Sequence, residues 1–353
     1  MLDFIIVGNG LAGNVLALQL HAQNLSYYVI SDPNLSKCSQ IAAGLWNPIV
    51  FKRMTRSWKA DELIPELKQF YKNAENILQA NFYTERHILK PFFSEEEKNF
   101  WAKRSETDLS TYIDKGANVP DIKHKNLIIP ETFGTVNHCG NINMPEFLNA
   151  CTNFHKKTNS IQNEVFDHSQ LLVSENEITY KNIKAKHIIF CEGYLVKNNP
   201  YFNWIPLNPV KGEVLEIGCK EIDLHSDVLN RNGFIFELSN SHYKVGATYN
   251  WSDLNENTSE KGLSELKTKL SQMILAPYTI LNHKAGVRPS SIDRRPIIGT
   301  HPLHKNLHIF NGLGTKGVMI APYFAKNFVN FCLKKEPLHS EVNVERFYSK
   351  CKP

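Results

Sequence analysis

The chain is 353 residues long, 42% hydrophobic and 21% charged, with a formal net charge of +5. These are the values of a soluble globular chain with room for a sizeable core and for two domains. The mild positive charge permits an anionic partner without requiring one, because the lysines are interspersed with acids, as in "KPFFSEEEKNFWAKR", which reads as a solvated helix face.

The first 32 residues are the most informative. "FIIV" has the pattern of a short buried strand, Gly8, Gly10 and Gly13 give G-x-G-x-x-G, Val15, Leu16, Leu18 and Leu20 follow at helical spacing, and "YYVI" reads as a second strand. Strand, glycine turn, helix and strand in that order are the dinucleotide-binding fingerprint. Gly8 allows the tight turn, Gly10 the approach of a pyrophosphate, and Gly13 close packing of helix on sheet. The helix N-terminus offers N–H groups and a positive dipole end to the phosphates. The acidic residue expected about 20 residues further on is displaced. Ser31 follows "YYVI" directly and Asp32 comes one later, so Asp32 either takes the ribose hydroxyls or caps a turn with Pro33.

Further along, "FKRMTRSWK" (51–59) carries four positive charges. They either sit at a site mouth and attract an anion, a nucleic acid included, or begin a helix on a solvated face. "SWKADELIPELKQFYKNAENILQ" has helical periodicity, and "MPEFLNACTNFHKK" reads as a short helix with Pro145 in its first turn and basic residues at its end. "EVFDHSQLLVSENEITY" shows strand alternation, and "GFIFEL" and "YKVGATY" form a strand pair around "SNSH". "FNGLGTKGVMIAP" (310–322) has the composition of a phosphate loop but fails G-x-x-x-x-G-K-[ST], because Thr315 precedes Lys316 and Gly317 follows it. "LHIF" before it and "VMIAPYFAKNFVNFC" after it make a second strand–turn–helix. No internal repeat or low-complexity linker is present.

The seven cysteines, Cys38, Cys139, Cys151, Cys191, Cys219, Cys332 and Cys351, are odd in number and widely spaced. They match no zinc pattern and read as reduced thiols of a cytoplasmic protein. No apolar run approaches the ~20 residues of a membrane helix. The N-terminus enters a strand pattern without a basic region, so no signal peptide is expected.

Several of these stretches, in this order, resemble the D-amino-acid-oxidase-like (DAO) family of FAD-dependent oxidoreductases. "CSQIAAGLWNP" (38–48) is similar to the family's S-x-x-A-A-G segment beside the flavin. "IKAKHIIFCEGY" (183–194), "IPLNPVKGEVL" (205–215), "RNGFIFELSNSHYKVGATYNW" (231–251), "AGVRPSSIDRRPIIG" (285–299) and the 310–322 turn follow. Residues 51–135 match only loosely.

The resemblance implies an α/β fold: a Rossmann-like FAD-binding domain from residues 1–50, 140–206 and 285–353, interleaved with a substrate domain from 51–139 and 207–284 on a mostly antiparallel sheet. It implies noncovalent FAD, held by Gly8, Gly10, Leu11, Ala12, Gly13, Ser31, Asp32, Ser39, Ala42, Ala43, Gly44, Val165, Cys191, Glu192, Gly193, Gly312, Gly314, Thr315, Lys316, Gly317 and Val318. The 310–322 turn would lie against the flavin ring, where the helix start and Lys316 would stabilise negative charge; the other reading turns Lys316 to solvent.

Arg288 is the implied carboxylate anchor, since a guanidinium binds a carboxylate through two parallel bonds. The other reading has it in a surface turn or paired with Asp293. Tyr249 would line the substrate cavity. No general base is assigned, His242 and His283 read as structural, and no lysine is assigned an oxygen-activating position.

The implied activity is oxidation of the C–N bond of an amino acid or secondary amine, with the imine then hydrolysed and O2 or another acceptor reoxidising the flavin, H2O2 forming with O2. Features similar to glycine oxidase and to the oxidase domain of the tRNA carboxymethylaminomethyl-uridine enzyme leave a tRNA substrate as an alternative. A 2-hydroxy-acid dehydrogenase and a non-catalytic flavoprotein are the others.

Overall fold

The computed structural model of the chain describes residues 1–35, 38–118, 126–130 and 132–351. Strand Leu2–Val7 lies between the parallel strands Tyr27–Ser31 and Ile183–Phe190. Both its faces are covered, which is why Phe4 to Val7 form an unbroken buried apolar run rather than an alternating one. The outer edge of Ile183–Phe190 is shared. Ile178–Tyr180 pairs antiparallel along its first half and Leu307–Asn311 parallel along its second. With Ile161–Asn163, Leu171–Val173 and Ile297–Thr300 this makes an eight-stranded sheet among the described residues.

A second sheet of nine strands among the described residues runs in the order Thr279–Arg288, Val210–Gly218, His242–Gly246, Phe234–Ser239, Val228–Asn230, Tyr83–Pro91, Thr132–Ile142 and Leu45–Trp46, with Ala117–Asn118 at the side. Along that order only the contact between Val228–Asn230 and Tyr83–Pro91 is parallel. The first sheet therefore draws its strands from residues 2–31, 161–190 and 297–311, and the second from the stretches between. Strand Thr279–Arg288 stays in the second sheet to its last residue.

Helix Leu11–Ala22 packs along helix Gly317–Cys332, which in turn packs on Ala60–Leu78. Val15, Leu16, Leu18 and Leu20 are buried there, together with Met319, Phe324 and Phe328 of the C-terminal helix. The hydroxyl of Tyr71 donates to the Val318 carbonyl at 3.2 Å and ties the long helix to that contact. Helix Met144–Lys157 has the start read from the sequence. Pro145 is in its first turn, and the Asn143 side chain accepts from the Glu146 N–H.

Three sequence expectations are refined. The hairpin turn is two residues, Asn240 and Ser241, because strand pairing runs on to Ser239 and His242. The alternation from Glu164 does not form a strand. Asp167 accepts from the Ser169 N–H and starts a 3₁₀ turn at His168–Gln170, so strands begin only at Leu171. The solvated helix Glu95–Ser105, capped by Ser94, turns Trp101 inward to full burial.

Candidate active site

A cavity of about 400 Å³ begins at the C-terminal ends of the first sheet's parallel strands and extends to the inner face of the second. That is where open α/β sheets bind ligands. Strand ends and turns place Gly8, Gly10, Leu11, Ala12, Ser31, Cys191, Glu192 and Gly193 in its wall. The short helix Cys38–Ile41 and the extended residues after it contribute Ser39, Ala42, Ala43 and Gly44. The C-terminal turn adds Gly314, Thr315, Lys316, Gly317 and Val318, the second sheet adds Arg288, and the loop after strand His242–Gly246 adds Tyr249. The two ends of the chain thus meet at one cavity.

Gly13, Asp32, Gly312 and Val165 are not in the wall. Gly13 lies behind it, where a Cβ would collide with the Gly8 carbonyl, as helix-on-strand packing requires. Asp32 accepts from the Asn34 N–H at 2.8 Å, so its side chain closes a turn while Ser31 lines the cavity. Gly312, at φ +72°, shapes the turn from behind and packs against Ile297. Val165 follows the end of Ile161–Asn163 and is 68% exposed.

The wall fits a dinucleotide. A Cβ on Gly10 would meet only the Ser39 Oγ at 3.4 Å, and one on Gly193 nothing within 4 Å, so both leave backbone open to the cavity. Helix Leu11–Ala22 has Gly10 at its N-cap, which brings no side chain, and no acid in its first turn, as suits an anion-binding helix start; the Leu11 N–H donates to the Ser39 Oγ at 3.1 Å. Asn9, beside it, donates to Thr152 but keeps a buried Oδ1 with no partner among the described residues. Helix Gly317–Cys332 likewise starts without a side-chain cap or acid.

Arg288 is a cation in the cavity wall. It is the last residue of its strand, and its Nη1 donates to the Thr248 carbonyl at 3.3 Å. The guanidinium sits over the Tyr249 ring at 4.7 Å. Among the described residues no carboxylate pairs with it, and burial lowers its pKa. Asp293, the alternative partner, pairs instead with Arg346 at 2.9 Å.

Lys316 points inward. Its Nζ donates to the Ser57 Oγ and lies 3.5 Å from the Ile49 carbonyl, and burial pushes its pKa down to about 8. The solvent-facing reading of Lys316 is therefore replaced. Among the described residues the wall has one acid, Glu192, which accepts from Asn199 at 2.7 Å and lies 3.2 Å from His168, so two cations, Arg288 and Lys316, stand against one carboxylate.

His242 and His283 pack beside acids. The His283 Nε2 is 2.8 Å from Glu213 and the His242 Nε2 3.8 Å from Glu216. In the basic stretch, Arg56 pairs with Asp61 and Asp108, and Lys59 with Glu62. Lys52 and Arg53 have no acidic partner among the described residues, on a turn whose Phe51 lines the cavity.

Sequence reading missed Phe234, Val228 and Ile88, whose side chains wall the cavity from the second sheet. It also missed Lys244, which donates to the carbonyls of Ile41 and Ala42 at 3.3 and 3.4 Å and pairs with Glu216. Nothing local marks these residues; only strand pairing brings them there. Among the described residues no group of side chains could hold a metal ion, and no helix is long and apolar enough to cross a membrane.

With this geometry in place, comparison with known proteins gives the family. The model of the DAO family, FAD dependent oxidoreductase, matches residues 3–330, and the chain belongs to that family, whose cofactor is FAD. The chain is 27% identical over 200 residues to glycine oxidase from Bacillus subtilis (strain 168), an alignment covering 53% of this chain and 54% of that protein. It is 27% identical over 125 residues to the tRNA 5-methylaminomethyl-2-thiouridine biosynthesis bifunctional protein MnmC of Legionella pneumophila subsp. pneumophila (strain Philadelphia 1), covering 34% of this chain and 19% of that one. The chain therefore spans about half or less of the length of these curated relatives. Its fold is that of iminodiacetate oxidase from Chelativorans sp. BNC1, with a TM-score of 0.78 over 98% of both chains at 18% identity.

Proposed function

We propose that the protein oxidises the C–N bond of a small amino acid or secondary amine that carries a carboxylate. The observation that carries this reading is Arg288, a guanidinium in the cavity wall with no paired carboxylate among the described residues. A largely buried cation without a countercharge is costly, and a planar substrate carboxylate supplies one through two parallel hydrogen bonds. Lys316 adds a second positive charge, and Tyr249 closes the outer side of the anchor.

FAD, when bound, supplies the acceptor for two electrons and the hydrogen leaving carbon. Gly8, Gly10, Leu11, Ala12, Ser31 and Gly193 would hold its nucleotide end, and residues 38–44 and 314–318 its ring end. The chain's own contribution is to bind the carboxylate, fix the amine's orientation, and keep water out with Trp46, Phe234 and Val228. The oxidised product is an imine that water hydrolyses, and reoxidation by O2 yields H2O2. The cavity holds two cysteines, Cys38 and Cys191. Burial pushes the Cys38 pKa up to about 11 and that of Cys191 higher still, so both are neutral thiols, in keeping with a noncovalent flavin.

The test is anaerobic bleaching of the flavin band by a panel of amines and amino acids. Bleaching by carboxylate-bearing amines supports the reading, and failure of every amine to bleach it overturns it.

One observation favours a second reading, an amine arm on tRNA. Lys52 and Arg53 stand without acidic partners among the described residues beside the cavity-lining Phe51, and the chain is similar to MnmC. Salt-dependent tRNA binding would support it; binding that does not change with salt would count against it.

A further inference from the structure

Beyond the carboxylate anchor, Tyr249 of the cavity wall stacks on a second large aromatic ring, Trp251, two residues further on. Tyr249 is 50% and Trp251 58% exposed. Their ring centroids are 6.1 Å apart at an interplanar angle of 25°, a stacked pair. Tyr249 also holds the Arg288 guanidinium at 4.7 Å. Tyr249 therefore touches the anchor and Trp251 alike, and the pair leads from the carboxylate site out of the cavity.

The loop that displays this pair is fixed at both ends to strand Val210–Gly218. At its start, Lys211 and Asn250 exchange backbone bonds of 2.8 and 3.0 Å. The Lys211 side chain is 1% exposed, and its Nζ donates to Asp253 at 2.8 Å and Asn255 at 2.9 Å. Asn250 Oδ1 accepts from the N–H groups of Ser252 and Asp253. At the loop's end the Glu213 carboxylate accepts from the Ser259 N–H and Oγ at 3.0 and 2.7 Å. Burying a lysine is expensive unless it is paired. Here that buried charge holds a surface loop, and the loop displays an exposed indole beside an exposed phenol ring. Aromatic rings presented on a rigid mount bind flat partners at low entropic cost.

We propose that Tyr249 and Trp251 form a stacking platform that selects substrates with a planar aromatic ring on the amine or α-carbon side, the carboxylate resting on Arg288. This rests on the carboxylate-anchor reading above. Lys211, Asp253 and Asn255 are positioning residues for the platform.

The test uses the FAD-loaded protein and two redox-inert acids of equal carbon count, 3-phenylpropionate and 3-cyclohexylpropionate. Binding is read as a perturbation of the visible flavin band. The flat ring stacks and the puckered ring does not, so the aromatic acid is expected to bind about fivefold tighter. Trp251→Ala removes that preference and Trp251→Phe keeps most of it, with the flavin band reporting that each variant is folded. Equal binding of the two acids by the wild-type protein, or an undiminished preference in Trp251→Ala, would overturn the platform. Neither acid carries an amine, so the result is independent of which amines are turned over.

Discussion

Arg288 rests flat against Gly212: a Cβ built on Gly212 would collide with the guanidinium carbon and both of its terminal nitrogens. The two residues are on neighbouring antiparallel strands, with Val210 directly opposite Arg288 and Gly212 opposite Gly286. A residue without a side chain is what allows the guanidinium to lie along the sheet and face the cavity. Gly212→Ala is accordingly expected to displace the anchor and weaken carboxylate binding by about tenfold to a hundredfold, the usual cost of a displacement of about 1 Å at a binding group. The flavin band should persist. Titration with a simple carboxylate checks this, and an unchanged dissociation constant would show that Arg288 is not where the carboxylate binds.

The glycines of the N-terminal turn should separate folding from cofactor binding. A side chain at Gly10 points into the cavity and meets only Ser39, whereas one at Gly13 meets the Gly8 backbone. Gly10→Val is expected to purify as folded protein without flavin, its stability within about 1 kcal/mol of wild-type apoprotein. Gly13→Ala is expected to lower stability itself. Urea denaturation of the apoproteins and the ratio of flavin to protein distinguish the two.

Lys316 should give carboxylate binding a pH dependence. Its pKa is pushed down to about 8 by burial, so it is charged below that pH and neutral above it. Affinity for a non-titrating carboxylate is expected to fall as pH rises through about 8, and Lys316→Met should flatten that step. For folding the sign is opposite. The unfolded chain holds this proton up to its ordinary value of 10.5, so this group's contribution to stability increases with pH between about 8 and 10.5. Ligand titrations at several pH values, with wild-type and variant, check the first statement, and chemical denaturation of the apoprotein over the same range the second.

The Lys211–Asp253 pair should show the asymmetry of a buried charge. Asp253→Ala leaves the lysine without its carboxylate and is expected to destabilise by about 1–3 kcal/mol. Lys211→Met removes the buried charge altogether and should cost less. Denaturation midpoints decide this. Hydrogen exchange across residues 249–258 should rise in both variants.

Much of the site was legible because its signals are local. Gly8 and Gly10 belong to one strand–turn–helix–strand unit, and the order of strand and helix periods around it marks the turn. Arg288 and the 38–44 segment came from resemblance, not from spacing. What escaped was either a choice between neighbours or a product of long-range pairing. Ser31 and Asp32 differ by one residue, and only the end of strand Tyr27–Ser31 decides that Ser31 faces the cavity and Asp32 closes a turn. Val165 lies beyond the end of an edge strand, where a one-residue change in strand length reverses a side chain. Gly212, Phe234 and Lys211 gain their meaning from strands distant in sequence, and no local pattern carries that information.

The most direct test of the central claim compares N-methylglycine with dimethylamine as anaerobic reductants of the bound flavin, in wild-type protein and in Arg288→Ala. The two amines differ only by the carboxylate that Arg288 is held to bind. In the wild type, N-methylglycine is expected to reduce the flavin at about a hundredfold lower concentration than dimethylamine, the worth of a charge-assisted pair. In Arg288→Ala, with the flavin still bound, that advantage should disappear. Equal reduction by both amines in the wild type, or an advantage that survives the loss of Arg288, would contradict it.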